Sequence, residues 1–183
     1  ATELVALIRS VETRRCARHA SAALRAAVNP LTIAVGAFPS GNPAAGTSPA
    51  QEVERLLLKQ AAGANFAITQ LFWDPEVYIS FVDDAKRAGV TIPILAGLLV
   101  PTDIGRLSRT AELTGIDPPQ ALSQTLRDAE GAEAAVQAGI LATARVARAV
   151  LDSGAPGLHL YTYNKARPSL GLLARIGLFD PAA

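Results

Sequence analysis

Sulfur is scarce in this sequence of 183 residues: there is no methionine, and Cys16 is the single cysteine. One thiol excludes an intrachain disulfide framework and points to a reducing compartment, so a cytoplasmic location is expected. The two histidines, His19 and His159, stand far apart with no cysteine or carboxylate at ligand spacing, and no metal site is expected. Neither sign of charge is in excess, with 17 Lys and Arg against 16 Asp and Glu. Such a balance leaves little field to draw the chain to nucleic acid or to an anionic membrane. The local exception is Arg14, Arg15, Arg18 and His19, which reads first as a solvated face and second as a phosphate contact. No apolar run reaches the roughly 18–20 residues of a membrane span, and the start lacks the charged-then-apolar layout of a signal peptide.

What is present is apolar residues in quantity, half of the chain, enough to bury one core. A single domain over residues 1–183 is the expectation. Apolar positions 4, 5, 7, 8 and 11 fit one face of a helix, and an Ala-rich amphipathic stretch from Ala17 to Val28 ends at Asn29-Pro30. Leu31–Phe38, bounded by Pro30 and Pro39, reads as a parallel strand buried on both faces. Ser48-Pro49 with Glu52 then signals an N-cap, proline at N1 and an acidic first turn.

The alternation continues with a strand at Phe66–Leu71, a helix from Pro75 capped by Asp74, a strand at Ile92–Leu98 and a helix over Asp103–Leu113. After Pro118-Pro119 come a short helix, a long Ala-rich helix over about 129–151, a strand at Gly157–Tyr161 and a last helix from Pro168. Crossovers of this length suit parallel pairing alone. The expected class is α/β, either a doubly wound sheet or a (β/α)8 TIM-type barrel, of which four β/α units are visible. No G-x-G-x-x-G follows a strand, which disfavours a dinucleotide-binding Rossmann unit.

In a barrel, chemistry sits at the C-terminal strand ends and the loops that follow. Four such ends are Phe38–Pro43, Thr69–Asp74, Gly97–Asp103 and His159–Lys165. Gln70 offers an amide with two donors and one acceptor, and Phe38, Phe72 and Trp73 offer flat apolar faces, a set suited to a planar heterocycle. The competing reading makes Phe72 and Trp73 packing residues and Asp74 a cap.

These residues also carry a resemblance. Ala62-Gly63-Ala64-Asn65-Phe66-Ala67-Ile68-Thr69-Gln70-Leu71-Phe72-Trp73-Asp74 resembles the A-G-A-[DN]-x-x-I-T-Q-x-F-[FW]-D signature of methylenetetrahydrofolate reductases. His159-Leu160-Tyr161-Thr162-Tyr163-Asn164-Lys165 is similar to their H-F-Y-T-x-N-[RK] ending. The similarity runs from about residue 31 to 178 and identifies the C-terminal half of the barrel as the matching part.

The resemblance implies FAD as cofactor, NADH or NADPH and methylenetetrahydrofolate as partners, and a homo-oligomer. It implies flavin contacts at Phe38, Asn42, Ala45, Glu52, Arg55 and Lys59, and substrate contacts at Gln70, Phe72, Arg106 and Lys165. Lys59 and Lys165 otherwise read as solvated lysines, and Arg106 as a surface charge. Phe38–Pro43 departs from the family's A-Y-P-E-x-H-P by losing the Glu and the His. A family glutamine and phenylalanine align with Arg106 and Thr110. The Arg-rich stretch between Glu12 and Asn29 has no clear counterpart, as an insertion or an irregular join would leave it. The acid that protonates the folate and the L-R-G-D flavin loop do not occur in the sequence, so no catalytic residue is expected within it. Half a barrel would expose two sheet edges, and the chain is expected to be part of a longer enzyme. A non-catalytic barrel that binds folate or a partner is the alternative.

Overall fold

The computed structural model describes residues 1–18 and 31–180. The helix expected over Ala17–Val28 lies, beyond its first two residues, outside the described residues, as does His19 of the basic group. Within them the order is α1 (Thr2–Ala17), β1 (Ala34–Ala37), α2 (Pro49–Ala61), β2 (Phe66–Thr69), α3 (Pro75–Arg87), β3 (Ile94–Leu98), α4 (Ile104–Thr114), α5 (Gln120–Arg127), α6 (Ala132–Asp152), β4 (Leu158–Leu160) and α7 (Ala166–Arg175).

The helix starts follow the capping signals. Ser48 and Gln51 form a reciprocal capping box at α2 with Pro49 in the first turn, Asp74 accepts from the Glu76 N–H at α3, and Asp103 accepts from the Arg106 N–H at α4. Each satisfies an N–H that a helix start otherwise leaves without a partner.

The four strands pair in chain order β1-β2-β3-β4, all parallel, as consecutive units of a (β/α) barrel do. Register places Val35 beside Ala67 and Ala37 beside Thr69, Ala67 beside Ile94, and Ala96 and Leu98 beside Leu158 and Leu160. These positions share one face, and Val35, Ala37, Ala67, Ile94, Ala96 and Leu98 are buried with Leu56, Tyr78, Phe81, Ala147 and Val150 of the helices. Small residues in the strands let the helices lie close to the sheet. Tyr78, fully buried, donates from its hydroxyl to the Ile94 carbonyl at 2.7 Å.

The other face differs from expectation at β1. Ala34 and Gly36 are exposed, so β1 alternates and is not buried on both sides. On the same face Phe66, Ile68 and Leu95 are half-buried. The reason is topological: helices cover the outer face, whereas this inner face belongs to a barrel interior that four strands do not close.

The helix α6 amends the expectation about apolar length. By length and composition it is apolar enough to cross a membrane, yet Gly139, Ile140, Thr143, Ala144, Ala147 and Val150 are buried against the sheet and its neighbours. Spacing by three and four residues makes them one stripe.

At the N-terminal end of the sheet, Arg9 of α1 joins distant segments. Its guanidinium donates to the Gly63 carbonyl, to Asn65 Oδ1, to the Leu31 carbonyl and to Glu12. Asn65 Oδ1 also accepts from the Ile33 N–H at 2.8 Å, and Glu12 accepts from the Leu31 N–H. Burial of Val5 completes the docking of α1.

Candidate functional site

All four parallel strands point their C-terminal ends one way, so the loops after them gather at one end of the sheet. Two groups of residues form there, one at β1 and α2 and one between β3 and β4.

The β1 group starts with a tight loop. Asn42 and Thr47 exchange main-chain hydrogen bonds at 3.0 and 3.1 Å across a 3-10 turn at Pro43–Ala45. Gly41 takes a φ of 82°, and a Cβ there would lie 2.4 Å from the Thr47 carbonyl oxygen, so only glycine fits the loop. Beneath it, Glu52 is 1% exposed; its Oε1 accepts from the Thr47 hydroxyl at 2.6 Å and lies 3.4 Å from Arg55 Nε. Glu52 Oε2 has no hydrogen-bond partner among the described residues.

Lys59 is also buried, which excludes its reading as a solvated lysine. Its Nζ donates to the Gly36 carbonyl at 2.7 Å and stands 6.0 Å from the centre of the Phe38 ring. Burial holds its pKa below the usual lysine value, partly opposed by the nearby Glu52 carboxylate. Phe38 and Asn42 are half-buried and Ala45 is exposed. The set suits an anionic dinucleotide in its chemistry. Arg55 and Lys59 are cations one helical turn apart, the loop backbone is open at Ala44–Gly46, and the one acid among them is covered.

Gln70 follows β2 directly. Its N–H donates to the Ala37 carbonyl at 2.7 Å, which sets it next to Phe38 in register. Its Oε1 accepts from the Leu71 N–H at 2.9 Å, which fixes the amide and leaves the NH₂ a donor without a partner among the described residues. Phe72 takes the packing role. It is 3% exposed, its ring stacks on Tyr78 at 5.6 Å, and it belongs to the hydrophobic core. Trp73 is packed against Leu107, Leu126 and Ala135 of a second cluster, with its Nε1 unpartnered among the described residues.

The second group surrounds a cavity of about 280 Å³ between α4 and the β4–α7 loop. Leu99, Val100 and Pro101 line it from the β3 end, Arg106 and Thr110 from α4, and Tyr161, Tyr163 and Lys165 from the β4 end. Arg106 and Lys165, two of the four expected substrate contacts, therefore meet in one cavity. Arg106 is half-exposed and pairs with Asp103 at 3.2 Å. Thr110 spends its hydroxyl on the Arg106 carbonyl at 2.8 Å.

Tyr161, which residue-by-residue reading left without a role, braces this wall. Its hydroxyl reaches across β3 to the Thr69 carbonyl at 2.9 Å, and the Thr69 hydroxyl accepts from the Gly97 N–H at 2.8 Å. Burial, with the neighbouring Tyr163 adding to it, raises the Tyr161 pKa, so the phenol remains a donor at neutral pH. His159 meets the Tyr161 ring edge-on at 4.6 Å.

Beyond Tyr161 the chain turns sharply: the Lys165 N–H donates to the Thr162 carbonyl at 2.9 Å, and Tyr163 and Asn164 have φ of 45° and 60°. Both central residues are left-handed, as in a type I′ turn, where Asn is at home and Tyr is not. Holding a tyrosine there costs about 1 kcal/mol or more.

A family model described as "Methylenetetrahydrofolate reductase" matches residues 1–177. The chain is 34% identical over 155 residues to a probable methylenetetrahydrofolate reductase (NADPH) of Caenorhabditis elegans, covering 82% of this chain and 23% of that protein. It is 31% identical over 157 residues to a probable methylenetetrahydrofolate reductase (NADH) of Oryza sativa subsp. japonica, covering 81% and 26%. With the 5,10-methylenetetrahydrofolate reductase of Escherichia coli (strain K12) it shares 29% over 147 residues, covering 80% and 49%. The chain thus spans from under a quarter to about half of the length of these relatives. In fold it is similar to a solved protein of Clostridium thermocellum that binds two copies of 5-methyl-5,6,7,8-tetrahydrofolic acid. The TM-score is 0.54 and the identity 19%, over 85% of this chain and 56% of that one.

Proposed function

Because the chain belongs to the methylenetetrahydrofolate reductase family, we propose that it serves in the reduction of 5,10-methylenetetrahydrofolate to 5-methyltetrahydrofolate by NADH or NADPH, with FAD as the intermediary. The observation that carries this reading is the placement of Gln70. Its immobilised amide stands at a strand end between β1, whose following helix α2 carries Arg55 and Lys59, and a cavity lined by Arg106, Tyr161 and Lys165. Relatives named for NADPH and for NADH support a nicotinamide donor without choosing between the two. The folate bound by the structural neighbour supports the substrate class.

The chemistry a flavin supplies is hydride relay between the two partners. Phe38, Asn42, Ala45, Arg55 and Lys59 are the residues that would hold it, with Glu52 fixing their loop through Thr47. The chain's own part is binding and orientation: the Gln70 NH₂ offers a donor to a heterocycle, and Lys165 offers a cation to a carboxylate. The rival reading, a folate-binding barrel without turnover, is favoured by one observation, the commitment of Lys59 to the Gly36 carbonyl.

Purified protein should be yellow, should bleach on addition of NADH or NADPH, and should recover its absorbance on addition of methylenetetrahydrofolate. Colourless protein that binds 5-methyltetrahydrofolate and leaves NADH and NADPH unoxidised would establish the rival.

A further inference from the structure

We infer that Tyr163 is the residue that positions the aromatic middle of an elongated, carboxylate-bearing ligand in the cavity between α4 and the β4–α7 loop. The inference rests on the folate reading above for the identity of that ligand, and on three observations for the role of the residue.

Tyr163 is 61% exposed, although it lines the cavity. The other aromatic ring of that wall, Tyr161, is already engaged with the Thr69 carbonyl and His159. Across from it, Thr110 has turned its hydroxyl to the Arg106 carbonyl and offers no ring. Among the described residues, Tyr163 therefore carries the one aromatic face in the cavity lining with no hydrogen bond or ring contact of its own.

Its backbone conformation is the second observation. In the turn Thr162–Lys165, the φ of 45° falls on the tyrosine, where glycine, asparagine or aspartate would sit without strain. The ring is poorly covered and, among the described residues, makes no hydrogen bond that would offset this strain, and backbone outliers of this kind gather at ligand clamps. Third, the same turn puts Lys165 on the cavity two residues later, so one rigid turn presents a ring and a cation together. A benzamide ring with a carboxylate beyond it, as in the aminobenzoyl-glutamate part of a folate, matches that pair; aromatic stacking on such a ring is worth about a tenfold change in affinity.

The test uses three probes: 5-methyltetrahydrofolate, p-aminobenzoylglutamate, and a tetrahydropterin without the aminobenzoyl group. Dissociation constants are measured by calorimetry for the purified parent protein and for the variants Tyr163→Phe and Tyr163→Gly. Tyr163→Phe should bind all three within twofold of the parent. Tyr163→Gly relieves the turn, so its melting temperature should rise or hold. Its affinity for the first two probes should fall about tenfold, with the pterin unchanged. In turnover the loss should appear in KM and not in kcat. A Tyr163 without a ligand role predicts the same gain or hold in melting temperature but a Tyr163→Gly protein that binds all three probes as the parent does, and that result overturns the inference. So does a parent protein with no affinity for p-aminobenzoylglutamate. Ring-dependent binding of that fragment in a protein without reductase activity overturns the reductase reading alone.

Discussion

The hydroxyl of Tyr161 donates to the main-chain carbonyl oxygen of Thr69 at 2.9 Å, joining residues 92 positions apart across the intervening strand. The contact ties the cavity wall to the strand end that carries Gln70. Tyr161→Phe should lower stability by about 1 kcal/mol and shift the urea midpoint without altering the slope of the transition. An unchanged midpoint would show that the bond contributes nothing.

Gly97 leaves room for that crossing. A Cβ at this position would lie 2.1 Å from the Thr69 carbonyl oxygen and 3.0 Å from the Tyr161 ring. Gly97→Ala should therefore displace the tyrosine and destabilise by about 2 kcal/mol or more. A melting temperature within a degree of the parent's would contradict the close approach.

Stability should depend on pH through four groups, with distinct limbs. Burial pushes Tyr78 up to about 12 and raises Tyr161 as well. The unfolded phenols ionise first, so stability is complete below about pH 10 and falls on the order of 2 kcal/mol toward pH 12. Lys59 has the opposite sign. Its lowered pKa gives a contribution that is present above pH 10.5 and is lost as pH falls through the folded value. At the acid end, the Leu31 N–H and then Arg9 lower the Glu12 pKa, so its contribution fades as pH drops below the ordinary carboxylate range. Melting temperatures across pH should show a smaller alkaline fall in Tyr78→Phe and lose the gradual rise in Lys59→Met; identical profiles would refute the assignment.

If the reductase reading holds, Gln70→Ala should lower kcat/KM by about tenfold or more for the nicotinamide and for the folate, because both would meet the same amide. Arg106→Gln should change KM for the folate by no more than about threefold, since its exposed guanidinium already pairs with Asp103. Steady-state kinetics with each partner varied in turn decides both.

Much of this arrangement could be read from sequence because it rests on short-range signals. Ser48 and Asp74 announced their helices, and the alternation of strand and helix dictated parallel pairing before any contact was known. The end of β2 stood out because Gln70 interrupts an apolar run. What escaped was decided by direction in space. Nothing local shows that the Phe72 ring stacks on Tyr78 while the Gln70 amide folds back onto the Leu71 N–H, because both residues lie just beyond the regular alternation of β2. Lys59 has the composition of a surface residue and lies buried because Gly36 exposes a carbonyl within its reach. The β1 run has no polar alternation to mark its open side, so Ala34 and Gly36 read as core. The joins made by Arg9, Asn65 and Tyr161 link residues dozens of positions apart, which no pattern of spacing encodes.

The Arg9 junction has a consequence for how the molecule tolerates change. A single guanidinium fastens α1, the entry to β1 and the turn before β2, all at the end of the sheet remote from the ligand-facing loops. Cohesion is thereby concentrated at one pole and recognition at the other. Sequence drift at Asn42, at Thr110 of α4 or at Tyr163 can retune what the protein accepts while the fastening stays intact, whereas loss of Arg9 would be felt as a failure of assembly and not as an altered preference.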